Sequence, residues 1–210
     1  MRIVLLGPPG SGKETQAVRI AEHYGIKRVL ANELLHGDGS APADADPMPH
    51  YSAQRLARPD VAGGFVISGF PRMLQQAMTL DDVLGDKPLQ MVIRIDIDAD
   101  VMIERLAGRR RCRSCHTEYN IFISPPKLDD QCDECGGALH QRVDDTERVI
   151  DNRLRVYEGV ALPVSGFYRA AGILHDVDGS GSIEAVTAEI CALLDPLAET
   201  QSGKRVRKAS

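Results

Sequence analysis

The opening stretch MRIVLLGPPGSGK constrains the fold more than any other part of this 210-residue chain. Ile3, Val4, Leu5 and Leu6 form a continuous apolar run, the pattern of a strand buried on both faces. It leads into Gly7–Lys13, which satisfies G-x-x-x-x-G-K, a loop whose backbone N–H groups wrap nucleotide phosphates. Gly10 and Gly12, on either side of Ser11, allow close approach to phosphate oxygens, and Lys13 supplies a compact cation. Ala17, Ile20, Ala21 and Tyr24 then recur at helical spacing, so the following helix aims its unpaired N–H groups at the same anion. A plain Gly/Pro turn is the alternative account, and the strand–loop–helix context disfavours it. One position does not conform. Glu14 stands where the ordinary loop has Ser or Thr, and the hydroxyl comes one place later, at Thr15.

Further apolar runs read as strands at Arg28–Leu30, Phe65–Ile67, Met91–Ile97 and Ile173–Val177. Helical patterns fall at Lys13–Tyr24, Met73–Leu84, Asp100–Leu106, Thr146–Tyr157 and Ile183–Leu194. Strands alternating with helices predict an α/β fold of the P-loop type, a parallel five-stranded sheet with helices on both faces. Gly37–His50 lacks periodicity and is expected to be a flexible loop. The basic stretch at the end, with Lys204, Arg205, Arg207 and Lys208, is expected to be a solvated tail.

Cys112, Cys115, Cys132 and Cys135 give the spacing C-x2-C-x16-C-x2-C, which fits a zinc site better than a disulfide framework. His116 and His140 are alternative ligands, although four thiolates already suffice. Cys191 lies in an apolar helical pattern and is expected to be an inert core residue. The net charge of −5 gives no support for nucleic-acid binding by bulk electrostatics. No apolar run approaches membrane-spanning length, and the chain opens on its first strand without a basic, apolar leader. The expectation is a cytoplasmic protein and, by default, a monomer.

Several motifs together resemble the adenylate kinases, specifically the bacterial type with a zinc-bearing lid. They are GPPGSGKETQ, Gly69-Phe70-Pro71-Arg72, Gly108-Arg109-Arg110, QRVDD at 141–145 with Arg153 and Tyr157 on the next helix, and Val177-Asp178-Gly179. The resemblance implies a core of residues 1–110 and 142–195, a reduced acceptor-binding region at 31–60, a zinc-ribbon lid at 111–141 and a flexible tail at 196–210. It further implies Lys13, Arg72, Arg109, Arg142 and Arg153 as catalytic cations. On the ATP side it implies the loop residues Gly10–Thr15, with Arg105, Arg109, Glu118, Tyr119 and Gly181. Acceptor binding would fall to Ala31, His36, Gly69, Phe70, Pro71, Arg72, Gln76, Arg142 and Arg153. The implied partners are ATP or ADP, with AMP or another small phosphorylated acceptor, and the implied cofactors are structural Zn2+ and the Mg2+ that accompanies ATP. Guanidinium groups suit phosphate oxygens bidentately, which agrees with that arginine set. Asp144 and Asp145 read as N-terminal helix caps, to which a hinge or lid-latching role would be added.

The chain departs from the family pattern mainly on the acceptor side. The family's threonine-glycine-aspartate stretch with its downstream arginine is Ala31–His36 here, so a hydroxyl is lost and a histidine replaces an always-charged donor. The acceptor lid is cut down to the Gly37–His50 loop and a short helical stretch near Ser52–Arg58. Ser68 stands where the family has an aspartate that helps hold the waters around Mg2+, and Glu14 stands where it has glycine. The plainer expectation for Glu14 is a first-turn acid facing solvent. The alternative is that it supplies the charge missing at Ser68. Three functions follow from these observations: a phosphotransferase acting on MgATP and AMP, a nucleotide-binding pseudoenzyme, and a zinc-ribbon module for nucleic acid, which the acidic balance disfavours.

Overall fold

The computed structural model describes residues 1–36, 46–142 and 145–208. Strands β1 (Arg2–Leu6), β2 (Lys27–Leu30), β3 (Phe65–Ser68), β4 (Met91–Asp96) and β8 (Leu174–Asp178) form one sheet in the order β2-β3-β1-β4-β8. Every pairing in it is parallel, as the continuous apolar runs predict. Ile3 and Leu5 face a core built with Ala17 and Ile20 of α1 (Lys13–Tyr24) and with Val186, Ile190 and Leu194 of α7 (Ile183–Lys208). Val4 and Leu6 face the opposite core, with Ala77 and Leu80 of α4 (Leu74–Leu84) and Val164 and Tyr168 of α6 (Glu147–Ala170). β1 is therefore the hydrophobic centre of the molecule, and the glycine-rich loop leaves from its carboxyl end.

Two helices are longer than their sequence patterns. α6 continues past Tyr157 to Ala170, through Pro163, because Val164 and Tyr168 are fully buried and their packing outweighs the missing hydrogen bond. α7 continues through Pro196 to Lys208, into the segment expected to be a solvated, flexible tail. Ile183 is exposed rather than part of the apolar face of α7, and Cys191 is only half-buried.

The region after β2 also differs from expectation. α2 (Ala31–Leu35) follows directly, and α3 spans Pro47–Leu56 instead of starting near Ser52. Asp46 caps α3 by accepting from the Met48 N–H at 3.0 Å, and Pro47 sits in the first turn, where its missing donor costs nothing. Pro47–His50 are thus helical; the other residues of the expected loop, apart from Asp46, lie outside the described ones. Arg55 fastens α3 down. Its side chain is 4% exposed, donates to Glu33 at 2.7 Å, and grips Asp60 through both terminal nitrogens at 3.0 and 3.1 Å. Glu33 in turn accepts from the Leu30 N–H at 2.7 Å, so one guanidinium joins β2, α2, α3 and the following turn. Replacing Arg55 by Ala removes the buried cation from Glu33 and Asp60, leaving Asp60 with the more exposed Lys27 ammonium at 3.7 Å, and is expected to lower the melting temperature by roughly 5 °C. Arg55→Lys should recover only part of the loss, because an ammonium cannot make the bidentate contact. Thermal unfolding of the three proteins checks this.

After α5 (Ala99–Ala107) the chain enters a separate antiparallel sheet, β6-β5-β7, made of β5 (Arg109–Cys112), β6 (Glu118–Asn120) and β7 (Leu139–His140). Its root is tied to the core by Asn120 Nδ2, which donates to the Arg105 carbonyl at 2.8 Å, and by Gln141 Nε2, which donates to that of Ala107 at 3.2 Å. Gly108 sits at that root. A Cβ there would come within 2.5 Å of the Phe122 ring, so only glycine permits this approach.

Candidate active site

The loop between β1 and α1 has the form its glycines allow. At Gly7, with φ 150°, a Cβ would come within 2.5 Å of the Ile95 carbonyl oxygen. Gly12 is left-handed with φ 85° and opens α1, and no atom lies within 4 Å of where its Cβ would be. The loop is closed by the Ser11 N–H and the Lys13 ammonium, which donate to the Pro8 carbonyl at 3.2 and 3.1 Å. Ser11 Oγ is buried without a hydrogen-bond partner among the described residues.

Cations converge on this loop. Burial lowers the pKa of Lys13 from 10.5 to about 8; Glu14 opposes the shift, and repulsion from Arg109, Arg153 and Arg72 adds to it. The structure therefore brings four of the five expected catalytic cations together. Arg142, the fifth, is half-buried in the turn before α6, where its carbonyl accepts from the Asp145 N–H at 3.1 Å. Asp145 is a correction to the sequence reading. It is not the expected helix cap, a position that Thr146 takes: its fully buried carboxylate lies 3.8 Å from Arg109 Nε and 3.4 Å from Arg153 Nη1. It holds two arginines from different elements, β5 and α6, in one orientation. Asp144 lies outside the described residues.

A bound polyphosphate would restore full protonation to Lys13, so the depressed value has a measurable consequence. Above pH 8 the free side chain is largely neutral, and nucleotide binding must take up a proton; near pH 6.5 it is already charged and no uptake follows. Titration calorimetry of ADP in buffers of different ionisation enthalpy should show uptake at pH 8.5 and none from this group at pH 6.5.

Glu14 does not simply face solvent. Although the residue is exposed, Glu14 Oε2 accepts a hydrogen bond of 2.7 Å from Ser68 Oγ, whose residue is buried at the end of β3. The other oxygen, Oε1, lies 3.2 Å from where a Cβ on Gly69 would be.

Ser68 opens the Gly69–Arg72 turn. Gly69 has φ 72°, Phe70 and Pro71 are buried, and Arg72 Nε donates to the Gly69 carbonyl at 2.9 Å. Gln76 Oε1 accepts from the Arg72 N–H at 2.8 Å, which leaves its amide NH2 as a donor. Next to this turn is a cavity of about 460 Å³ between α2, α3 and α4, lined by Leu35, His36, Asp46, Pro47, Met48, Met73, Gln75, Gln76 and Thr79. Apolar walls with a few polar groups suit a small organic ligand. Of the expected acceptor residues, His36 and Gln76 line it, while Ala31 packs partly against the core.

On the opposite side of the loop, Arg105 Nη2 donates to the Ser180 carbonyl at 3.2 Å, beside Gly181. In the small sheet, the sulfurs of Cys112, Cys115, Cys132 and Cys135 all lie within 4.8 Å of one another. That compact set of four thiols fits a tetrahedral ion with every position filled by protein. Neither His116 nor His140 belongs to the group. The hydroxyl of Tyr119, a residue expected on the ATP side, accepts from the Asp133 N–H at 2.9 Å and contacts Cys132 Sγ at 3.4 Å. Glu118 is exposed on β6 opposite Arg111.

Comparison with known proteins agrees with this arrangement. The adenylate kinase family model matches residues 49–173. An adenylate kinase of Nitrosococcus oceani is 40% identical over 214 residues, covering 93% of this chain and 99% of that protein. Those of Thermodesulfovibrio yellowstonii and Archaeoglobus fulgidus are 38% and 37% identical, covering 93% and 94% of this chain and 99% of each relative. The chain belongs to the adenylate kinase family.

Within this member of the adenylate kinase family, sequence reasoning missed Asp145 as a partner of the arginines and Arg55 as a buried tie. A carboxylate between a run of arginines and a helix start could have signalled the first. Nothing local signals the second, because an arginine on a polar helix ordinarily faces water.

Proposed function

We propose that the protein moves the γ-phosphoryl group of ATP onto AMP and releases two molecules of ADP. The observation that carries this reading is the convergence around Lys13 of Arg72, from the turn beside the acceptor cavity, with Arg109 and Arg153. Holding one nucleotide does not require cations from both sides, whereas bringing two phosphorylated molecules together does. Catalysis of such a transfer is largely positioning and neutralisation of charge. The names of the relatives point the same way.

In the proposed reaction an oxygen of the AMP phosphate attacks the γ-phosphorus. The bond from that phosphorus to the β,γ-bridging oxygen breaks, and its electrons leave on ADP. A phosphate monoester is largely ionised at neutral pH, so no side chain has to accept a proton. Lys13 and Arg109 would balance charge on the donor, Arg72, Arg142 and Arg153 would grip the acceptor, and Asp145 would keep Arg109 and Arg153 aligned. Arg105 and Gly181 would lie against the adenine of ATP. Oxygen donors suited to a hard cation stand at the loop exit, the Glu14 carboxylate and the Thr15 hydroxyl, and Mg2+ carried in with ATP would supply further charge neutralisation there. The four cysteines would hold structural zinc, and the sheet they organise would be the lid that excludes water from the reaction. One chain carries donor-side and acceptor-side groups, so the reading needs no second copy, and a cytoplasmic location fits substrates of this kind.

Ala31 and His36 weaken the acceptor's surroundings relative to the family pattern, so the expected cost falls on AMP affinity before turnover. A coupled assay of ADP formation from MgATP with AMP, GMP, CMP and UMP tests the reading. AMP should be the best acceptor by at least about tenfold. ATP binding without turnover on any of the four would favour the pseudoenzyme reading.

A further inference from the structure

Glu14 is the least expected residue of the phosphate loop. A carboxylate in the first turn of a helix normally points into water, where the dipole alone favours it. Here it leans towards the sheet. Parallel pairing of Leu5 with Ser68 brings the end of β3 beside the end of β1, and the buried Ser68 hydroxyl donates to Glu14 Oε2 at 2.7 Å. The second oxygen lies over Gly69, where any side chain would crowd it. The same carboxylate is the group that most supports the charge on Lys13.

A fixed anion next to a polyphosphate-binding loop repels bare nucleotide. A divalent cation on the phosphates reverses the sign, and Mg2+ keeps several of its waters, whose protons a carboxylate can accept. We propose that Glu14, held in place by Ser68, is a positioning residue that accepts hydrogen bonds from the water shell of the nucleotide-bound divalent cation, so that the loop selects metal-complexed ATP over free ATP. The inference rests on the reading of this loop as an ATP site, and its test separates the two.

Titration calorimetry of ATP into wild type, Glu14→Gln and Ser68→Ala, each with Mg2+ and with EDTA, measures the preference directly. Glutamine keeps an oxygen that can accept from Ser68 and removes only the charge, so the fold is preserved; thermal melts verify this. Glu14→Gln should weaken MgATP binding by about fivefold to tenfold and leave metal-free ATP binding equal or tighter. Ser68→Ala should lose part of the preference, because the carboxylate is released from its clamp. A Glu14→Gln protein with the wild-type preference, or one that weakens both forms equally, overturns the inference while leaving the ATP site standing. Wild type that binds ATP in neither condition overturns both.

Discussion

Replacing Lys13 by Met is expected to remove phosphoryl transfer while leaving a protein at least as stable as wild type at pH 7. Loss of one preorganised donor to a transition state costs about 10²–10³ in turnover, and here a full cation is lost from the centre of the convergent set, so about 10³-fold or more is expected. Stability should move the other way. Burial lowers the Lys13 pKa from 10.5 to about 8, so between those values the unfolded chain binds more protons than the folded one. The penalty for burying the ammonium is therefore full below pH 8 and fades as pH rises towards 10.5. Methionine relieves it, so the gain in melting temperature over wild type should be larger at pH 7 than at pH 10. Steady-state kinetics and melting curves at the two pH values check both halves. A gain that is greater at pH 10 would contradict the placement of a charged lysine in a desolvated loop.

The second large effect is expected from the cysteine cluster. The core of the small sheet is little more than Cys112, Cys132, Leu139 and part of Tyr119. So few apolar groups cannot order a segment of this length, and in the proposed reading formation of the zinc site supplies most of its folding energy. Strong chelation, or Cys132→Ser, is expected to release about one zinc per chain, to speed proteolysis within residues 113–138 by more than about tenfold, and to lower turnover. The parallel sheet should survive, because its two cores share no residue with that cluster. Metal analysis, limited proteolysis and circular dichroism on one preparation would show it. Loss of the whole fold on chelation would mean that the small sheet supports the core rather than resting on it.

Much of the fold was legible because a parallel strand buried on both faces leaves an unmistakable apolar run. β1, the glycine-rich loop and α1 follow from residues 1–24 alone, and the spacing of the four cysteines announces their cluster. The hidden parts are those decided by tertiary packing. The helical patterns stop at Tyr157 and Leu194, before Pro163 and Pro196, yet α6 continues because Val164 and Tyr168 have a core to enter. α3 was obscured by Pro47 and Pro49, which read as a loop although a first helical turn tolerates proline. The polar ties were harder still. Ser68 and Glu14 are 54 residues apart; the family pattern links them as paired departures, and the placement of β3 beside β1 adds that their side chains touch. Asp145 resembled a cap until β5 and α6 brought Arg109 and Arg153 to it.

The central claim, direct transfer between two bound nucleotides, is tested by following the phosphorus itself. With γ-labelled MgATP and unlabelled AMP, the label should appear as the β-phosphate of newly formed ADP, at equal rates of ATP loss and ADP labelling. Label that stays on ATP while both nucleotides are bound, or that emerges only as inorganic phosphate, would contradict the account.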